Sequence, residues 1–466
     1  MSILDKASLI QIPSGYKSTK LYSLRPINGD GDFTFARSSS GTRVNSEGLI
    51  EEVPYNKLTY SNDFSNAAWV KERCTLTSGQ SGYDGSNDAW LIQSTATSAS
   101  ARCYQAFNSD GNFNRSVYAK KGTSDYLAIY TTSSAYAYFN LSNGTIGTES
   151  NNVNASILSV GNGWYRCSVT MSNVYNNHYI FVANVDNNTS TNSGDNIYIQ
   201  DAQLVKGTTA KTYFPTTDRL DVPRLDYSGG ASCASLLLEP QRTNQLTYSE
   251  QFDNAAWTKS NLTITANDAT SPDGTTNADK IIPSTSNVSH FLYQNSSMTN
   301  GIAYTQSVYV KANEYSFIQI TGSSGVPSNY QNFDLTNGIL GSTDGGDASI
   351  ESVGNGWYRC TYTLTCTTTT SGGRFVIAII PLSTSGRLAA FLGNGTDSVL
   401  MWGAQLEQGS YPTSYIPTSG NTVTRTADVC NNAGTSATFN DSEGVLFAEI
   451  SAFADDGTAR RIYINN

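Results

Sequence analysis

The sequence is poor in charge and in histidine. Charged residues make up 14% of its 466 residues, and it contains only two histidines, His178 and His290. Two histidines exclude a multi-histidine metal site, and a histidine-dependent triad would need one of them beside a suitable nucleophile. Both lie in aromatic stretches typical of strands, so we interpret them as structural side chains rather than catalytic ones.

Basic stripes and long apolar runs are also missing. The formal net charge is −10, whereas nucleic-acid-binding proteins usually carry a basic face. No run of about 18 apolar residues is present, which argues against membrane insertion. The first residues, MSILDKASLIQIPSGY, lack the apolar core of a signal peptide. We therefore expect no nucleic-acid partner, no membrane insertion and folding in a reducing cytosol.

Motifs for metals, disulfides and catalysis are absent as well. The seven cysteines include no CxxC pair, and the closest two, Cys360 and Cys366, fit neither a zinc ribbon nor a dense disulfide framework. Free and mostly buried thiols are the expected state. GxSxG, HExxH and phosphate-loop motifs are missing, and no pair of acids is singled out for glycoside hydrolysis. The sequence predicts no enzyme, no catalytic residue, no cofactor and no metal.

What the sequence does contain is a long internal repeat. Residues 58–71, LTYSNDFSNAAWVK, match residues 246–259, LTYSEQFDNAAWTK, at an offset of 188. Further matches follow in the same order while the offset drifts to 202, and they begin at Arg115 and Gln306, Tyr138 and Asn332, Ser159 and Ser352, and Asp201 and Gly403. Collinear matches indicate two copies of one domain, here called repeat 1 (residues 54–218) and repeat 2 (residues 242–425).

Both repeats consist of short segments rich in β-branched and aromatic residues, separated by Gly, Asn, Ser and Asp. Asn-Gly pairs at 143–144, 162–163, 337–338 and 355–356 supply the positive-φ positions of tight turns. Roughly eight strands per repeat without helical periodicity are typical of antiparallel sandwiches. The pattern therefore predicts an all-β protein with two tandem antiparallel β-sandwich (jelly-roll) domains.

Three segments lie outside the repeats. Residues 1–53 are predicted to form a small N-terminal β unit suited to attachment, because they are not repeated and precede the repeats. Residues 219–241 form a linker whose apolar triplet, Leu236 to Leu238, predicts docking as a strand. Residues 426–466 begin like a fresh β-domain and stop after two strand-like segments, so this C-terminal β segment is predicted to be incomplete.

Four tryptophans occupy repeated positions. Trp69 and Trp257 belong to the first matching block, and Trp164 and Trp357 belong to the block GNGWYRC. In an unbulged strand Trp164 points to the opposite face from Cys167, because side chains alternate. We interpret the four tryptophans as structural aromatics that anchor the sandwiches, with a ligand-stacking platform as the alternative.

Two blocks resemble virion appendage proteins of tailed bacteriophages, which include head fibres and tail fibres. They are residues 31–54, GDFTFARSSSGTRVNSEGLIEEVP, and residues 222–259, VPRLDYSGGASCASLLLEPQRTNQLTYSEQFDNAAWTK. The resemblance covers most of the chain, although its motifs are not specific to one location on the particle. It implies carbohydrate-binding-module-like jelly rolls for the repeats and the start of a lectin-like domain at residues 444–451, GVLFAEIS.

The resemblance also implies a function and an assembly. The chain would be a structural component of the virion, assembled in the host cytoplasm, and would form a fibre that projects from the capsid or, as the second choice, the tail. A homotrimer is expected, with other virion proteins contacting residues 1–53 and host surface glycans as further partners. The alternatives are a glycan-binding adhesin or receptor-binding protein and, third, a polysaccharide depolymerase.

Repeat 1 offers candidate glycan-binding residues. A jelly roll can hold a glycan on exposed aromatic rings flanked by polar groups. Strand alternation puts Tyr136 and Tyr138 on one face with Tyr130 nearby, whereas repeat 2 keeps only Tyr330 in the matching stretch. We therefore expect different roles for the two copies. The alternative is that these tyrosines pack in the core or at a subunit interface.

A structural calcium ion is a further alternative. Asp84, Asp88 and Asp201 could contribute ligands in repeat 1, but Gly403 replaces Asp201 in repeat 2. Calcium takes six to eight oxygen ligands, and acids this sparse fall short without backbone carbonyls. Acids that favour surface turns are the simpler interpretation.

Overall fold

The computed structural model of the chain describes residues 6–13, 15–17, 20–53, 56–107, 112–132, 134–171, 177–211, 213–216, 222–439 and 445–452. Its regular structure is almost entirely β-strand, with a short 3-10 helix at Ser228–Gly230. The chain divides into two compact units. One unit contains repeat 1, and the other combines repeat 2 with residues 20–53 and the segments that flank repeat 2.

Repeat 1 is a sandwich of two six-stranded antiparallel sheets, here called front and back. The front sheet has the strand order Thr145–Glu149, Ala135–Asn140, Tyr126–Thr132, Asn177–Ala183, Arg102–Ala106, Val70–Glu72. The back sheet has the order Val153–Gly161, Trp164–Met171, Phe113–Lys121, Asn196–Lys206, Ala89–Ser94, Cys74–Gln80. A short pair, Ala99–Ser100 with Ser190–Thr191, completes the domain.

Repeat 2 repeats the six-strand order of both sheets. Its front sheet has the order Ile339–Thr343, Tyr330–Asp334, Phe317–Ser323, Thr370–Ile379, His290–Tyr293, Thr258–Ser260, with Ser296–Met298 also paired to Thr370–Ile379. Its back sheet has the order Asp347–Gly354, Trp357–Thr365, Ala303–Ala312, Val399–Gln408, Thr276–Pro283, Leu262–Thr270. Asn287–Val288 pairs with Phe391–Leu392. The predicted all-β fold with two antiparallel jelly-roll sandwiches is confirmed.

Glycine has a positive φ at all four Asn-Gly pairs, and asparagine does so at two of them. Asn162 and Gly163 have φ values of 52° and 77°, and Asn355 and Gly356 have 53° and 77°. Two consecutive positive φ values define the hairpin turn whose twist matches its strands. The strand that follows each turn begins with a buried tryptophan, Trp164 or Trp357.

Side chains of the strand Trp164–Met171 alternate between two apolar layers. Cys167 and Val169 face the core between the two sheets, and Tyr165 packs against that core. Trp164 lies on the other side of the back sheet, with Ala89 and Tyr118. Trp164 and Cys167 thus point to opposite faces of the sheet, as the sequence predicts. Both are buried, because side chains also cover the outer face of the back sheet.

The repeated block around NAAW forms the same turn in both domains. In repeat 2 the side chain of Asn254 accepts a hydrogen bond from the Ala256 amide (2.9 Å), and the indole of Trp257 donates to the Tyr248 carbonyl (2.8 Å). The ammonium of Lys259 donates to the carbonyls of Asp253 and Asn254, each at 2.7 Å. A buried indole and a lysine thus satisfy backbone carbonyls that a tight turn would leave unpaired.

The turn in repeat 1 matches this arrangement. Trp69 donates to the Tyr60 carbonyl at 2.9 Å, and Lys71 donates to the carbonyls of Ser65 and Asn66, each at 2.8 Å. Both tryptophans are almost fully buried in the cores of their domains.

Residues 20–53 belong to the same compact unit as repeat 2, whereas the sequence predicted a separate unit for residues 1–53. A four-stranded sheet joins both ends of this unit, in the order Tyr16–Lys17, Lys20–Leu21, Phe33–Ala36, Val429–Asn431. The hairpin Thr42–Val44 with Ile50–Glu52 places Ile50 on the outer face of the back sheet of repeat 2. The Ile50 amide donates to the Pro272 carbonyl there (2.9 Å).

The linker also docks. Leu225–Asp226 pairs with Ser235–Leu236 within the linker, and the Tyr227 amide donates to the Val44 carbonyl of the hairpin at 3.0 Å. At the two ends of repeat 2, Arg242–Asn244 pairs with Val423–Arg425. Leu236, the first residue of the apolar triplet, pairs with Leu225 of the linker itself, while Leu238 stays exposed.

A buried ionic cluster ties these segments together. Arg224 contacts Glu239 at 2.7 Å and also contacts Asp428, and Arg37 contacts Asp428 at 2.9 Å. Arg425 contacts Glu239 at 2.8 Å. All five side chains are at most 1% exposed. Although burial alone would raise it, the guanidinium groups of Arg224 and Arg425 hold the pKa of Glu239 below its usual value.

The strand predicted at residues 444–451 is not formed. Residues 445–452 carry no regular structure, and Val445 and Phe447 are 98% and 86% exposed. The prediction was wrong for these residues because the segment has apolar strand-like composition but pairs with no described strand. Gly444 and residues 453–466 lie outside the described residues.

Candidate functional site

An aromatic face covers the outer side of the front sheet of repeat 1. Along Tyr126–Thr132, Leu127 and Ile129 enter the core between the sheets, so Tyr126 and Tyr130 point outward. The same alternation on neighbouring strands brings further rings to this side. The outward cluster consists of Tyr126, Ala128, Tyr130, Tyr136, Tyr138, Tyr179, Phe181 and Ala183.

The rings form a continuous stripe that crosses four strands. Tyr136 stacks on Tyr130 with centroids 4.8 Å apart and planes inclined by 19°, and Tyr130 lies 4.8 Å from Phe181. The stripe continues from Phe181 to Tyr179 (5.9 Å) and from Tyr179 to Tyr104 (4.6 Å). Strand order explains this path, because each of the four strands contributes one or two outward rings.

The three tyrosines singled out from the sequence lie together but differ in exposure. Tyr130 and Tyr136 are half-buried, whereas Tyr138 is 1% exposed. The Tyr130 and Tyr138 hydroxyls are 2.5 Å apart, and burial raises the pKa of both phenols. Tyr138 therefore supports Tyr130 from below. Only Tyr130 and Tyr136 of these three can offer a ring to a ligand.

Arg102 ends the stripe on the side of Tyr104. Its guanidinium carbon lies 4.7 Å from the Tyr179 ring centroid and 5.2 Å from that of Phe181. Its Nε and Nη2 donate to the Glu72 carboxylate at 3.0 Å and 2.7 Å. Stacking on aromatic faces and a carboxylate partner fix the guanidinium plane.

A polar depression lies at the other end of the stripe. It has a volume of ≈520 Å3 and is lined by Ser134, Tyr136, Glu149, Ser150, Asn151 and Asn152. The Ser150 amide donates to the Tyr136 carbonyl at 3.0 Å, and the Tyr136 amide donates to the Ser150 hydroxyl at 3.1 Å. Hydroxyls, amides and a carboxylate thus adjoin an aromatic ring, which is the side-chain chemistry that binds sugar hydroxyls.

Repeat 2 has lost this surface. Gln319, Thr321 and Asn332 stand where repeat 1 has Ala128, Tyr130 and Tyr138. The Asn332 amide donates to the carbonyls of Ser383 (3.0 Å) and Ser385 (2.7 Å).

The polar side chains of repeat 2 hold a loop over the sheet. Gln319 accepts from the Leu388 amide at 2.7 Å, and Arg387 donates to the Thr321 hydroxyl at 2.9 Å. This loop belongs to residues 380–398, a longer connection than residues 184–195 at the equivalent place in repeat 1.

The four tryptophans predicted as structural are all inside the two domains. Trp69, Trp164, Trp257 and Trp357 are each at most 2% exposed. Trp357 donates from its indole to the Thr270 carbonyl at 3.1 Å. None of the four can stack on a ligand without rearrangement of the domain.

The acids considered for calcium are occupied by protein groups. The Gln200 side-chain amide donates to Asp88 (2.6 Å) and to Asp84 (3.2 Å). Tyr83 donates to Asp201 at 2.9 Å, and burial, with the nearby Asp88 and Asp84, raises the pKa of Asp201 to about 7. Among the described residues no cluster of three or more metal-ligating side chains is found.

The thiols are in the state that the sequence predicts. All seven cysteines are free; four are buried, and Cys233 is exposed. His178 and His290 are both fully buried. Within the described part of the chain, no helix has the length and apolarity to cross a bilayer.

Comparison with known proteins gives distant structural neighbours only. No family model and no curated protein matches the sequence. The N-terminal CBM22 tandem domain from Paenibacillus barcinonensis is 9% identical, covers 80% of this chain and 100% of its own, and has a TM-score of 0.28. An exo-beta-1,3-galactanase from Phanerochaete chrysosporium is 12% identical. The match covers 85% of this chain and 96% of the galactanase chain, with a TM-score of 0.18. At these scores neither neighbour informs the function of this chain.

The sequence predicts the tyrosines at the centre of the aromatic face but not the residues at its two ends. Tyr104, Tyr179 and Arg102 lie on strands distant in sequence from Tyr130, so only the sheet order brings them together. A signal was available, because Tyr179 alternates with the core residue Ile180 as Tyr130 does with Ile129. The depression at Glu149 includes residues 150–152, a turn whose position no sequence pattern marked.

Proposed function

We propose that this chain is a glycan-binding protein and that repeat 1 carries its binding face. The observation that supports this is the stripe of stacked rings, which is open in repeat 1 and replaced by a loop in repeat 2. Flat rings bury the apolar faces of pyranose units, and side chains at both ends can bond hydroxyls. Repeat 2 then serves as the structural base to which residues 20–53 and the linker dock.

An array of neutral and acidic oligosaccharides, probed with the full chain, tests the proposal. We expect Tyr136→Ala and Tyr130→Ala each to weaken binding by at least about fivefold, the scale of one aromatic contact. Tyr330→Ala, which removes the counterpart of Tyr136 in repeat 2, is the matched control and leaves binding unchanged.

Two results would contradict the proposal. The first is binding that is insensitive to both repeat 1 variants. The second is a stripe that is covered in an oligomer, which light scattering and surface labelling of the tyrosines would reveal. Loss of glycan chain length on incubation would instead support a depolymerase.

For the biological setting we infer a phage virion appendage. The resemblance of residues 31–54 and 222–259 to virion appendage proteins supports this. We further propose a homotrimer that attaches through residues 1–53, with the capsid as the first choice of location and the tail as the second. Native mass and the neighbours of residues 1–53 in the particle test it. A monomer at micromolar concentration, or residues 1–53 remote from other virion proteins, would count against it.

A further inference from the structure

Acidic side chains gather at one end of the aromatic stripe. Glu149 and Tyr136 line the same polar depression. The Asp186 carboxylate accepts from the Thr148 amide at 2.8 Å and from its hydroxyl at 2.9 Å. These bonds fix Asp186 beside the strand that adjoins Tyr136 and Tyr138.

The basic group on this face lies at the opposite end. Arg102 bonds Glu72 through two of its nitrogens, so its charge is largely compensated by that carboxylate. Arg73 also lies at that end, 3.6 Å from Glu72. The negative charges of Glu149 and Asp186, in contrast, have neutral hydrogen-bond partners. The potential along the stripe therefore becomes more negative from Tyr104 towards Tyr136.

We infer that the sugar unit bound over Tyr136 carries no acidic group, so that the face selects neutral glycans over hexuronate-containing ones. This inference rests on the proposed glycan-binding function and adds a ligand class to it. A carboxylate placed over Tyr136 would lie at the end of the stripe that Glu149 and Asp186 make negative, and like charges repel even in water. Neutral hydroxyls would instead donate to these same oxygens.

Matched oligosaccharide pairs test the inference on the full chain. Each pair consists of a neutral tetrasaccharide and the hexuronate tetramer that corresponds to it. The sugars are mannose and mannuronate, β-1,4-linked glucose and glucuronate, and galactose and galacturonate. For each neutral tetramer that binds, we expect the hexuronate to bind at least about fivefold more weakly at low salt, as expected for one repulsive charge contact. The difference should shrink in about 0.5 M salt, where such interactions are screened.

Two variants give the control. The double variant Glu149→Gln with Asp186→Asn should bring neutral and acidic affinities closer together, whereas Glu47→Gln, an exposed acid in the N-terminal hairpin, should leave their ratio unchanged. The salt series on the unmodified chain gives the same answer if the double variant does not fold.

The possible outcomes separate the two claims. Tyr136-dependent binding of hexuronates as strong as that of the neutral tetramers would overturn the inference and leave the glycan-binding function standing. Absence of binding to both members of every pair would overturn both. A neutral preference that neither salt nor the double variant reduces would show that charge is not its cause, which also overturns the inference.

Discussion

At the scale of single residues, His178 shows how the two repeats differ in chemistry at one fold position. It lies in the strand Asn177–Ala183, and neither of its ring nitrogens bonds a residue that the structure describes. Two residues on, Ile180 takes the same place as Ile377 of repeat 2, so Phe375 is the counterpart of His178. Burial, with a smaller contribution from Arg115, lowers the pKa of His178 to about 3.

This predicts that acid destabilises repeat 1 through His178. The unfolded chain binds a proton near pH 6.5 and the folded one near pH 3, so the stability penalty grows as pH falls between these values. At pH 4.5 it amounts to roughly 2–3 kcal/mol. His178→Phe, which installs the residue of repeat 2, should remove this pH dependence.

The measurement is urea unfolding of the full chain at pH 7 and at pH 4.5. Hydrogen exchange in the peptides of repeat 1 reports the stability of that domain. The variant should gain more stability over the unmodified chain at pH 4.5 than at pH 7. An equal gain at both values would mean that His178 does not titrate on unfolding.

At the scale of elements, the turn that ends in Lys259 is a device shared by both repeats. Its ammonium bonds two backbone carbonyls at 2.7 Å and a third, that of Phe252, at 3.3 Å. The lysine, in the strand Thr258–Ser260, thus supplies the charged donor for the carbonyls of the preceding turn.

Replacing this cation should therefore weaken repeat 2. Lys259→Met is expected to cost about 1–3 kcal/mol, because it leaves several carbonyls without their charged donor. Thermal unfolding checks this against Lys280→Met, a lysine whose side chain bonds none of the residues that the structure describes. Equal stability of the two variants would show that water replaces the ammonium without loss.

Strands and turns were the most predictable elements. The internal repeat, the Asn-Gly turns and the alternation at Trp164 follow from local sequence, because hydrophobic period and positive φ are local properties. The docking of residues 42–52 on repeat 2, and the loop over its front sheet, depend on long-range contacts such as Asn332 with Ser383. No local pattern encodes such contacts, and for the same reason an apolar segment without a partner was mistaken for a strand.

At the scale of the whole molecule, three distant parts of one unit meet in the buried ionic cluster. Arg37, Arg224 and Asp428 come from the N-terminal segment, the linker and the segment after repeat 2. Buried ion pairs are costly to break from one side, because the remaining charge stays unpaired.

Asp428→Asn should accordingly destabilise this unit by about 3–5 kcal/mol. Hydrogen exchange resolved by peptide should show faster exchange in residues 33–36, 42–52 and 423–431, with the sheets of repeat 1 unaffected. Removal of the exposed pair Lys121 and Asp125 in repeat 1 is the control, expected to cost less than about 1 kcal/mol. Unchanged exchange in all three segments of the Asp428 variant would mean that apolar contacts alone hold them.

The division of labour between the repeats is the central claim about the molecule. Repeat 2 has its outer faces covered by a hairpin and a loop, and repeat 1 keeps an aromatic face. Saturation-transfer NMR with neutral cello-, manno- and galacto-oligosaccharides tests this most directly on the full chain. The account predicts transfer to at least one of these sugars that is lost in Tyr136→Ala and retained in Tyr330→Ala. Transfer to none of them, or transfer unaffected by Tyr136→Ala, would contradict it.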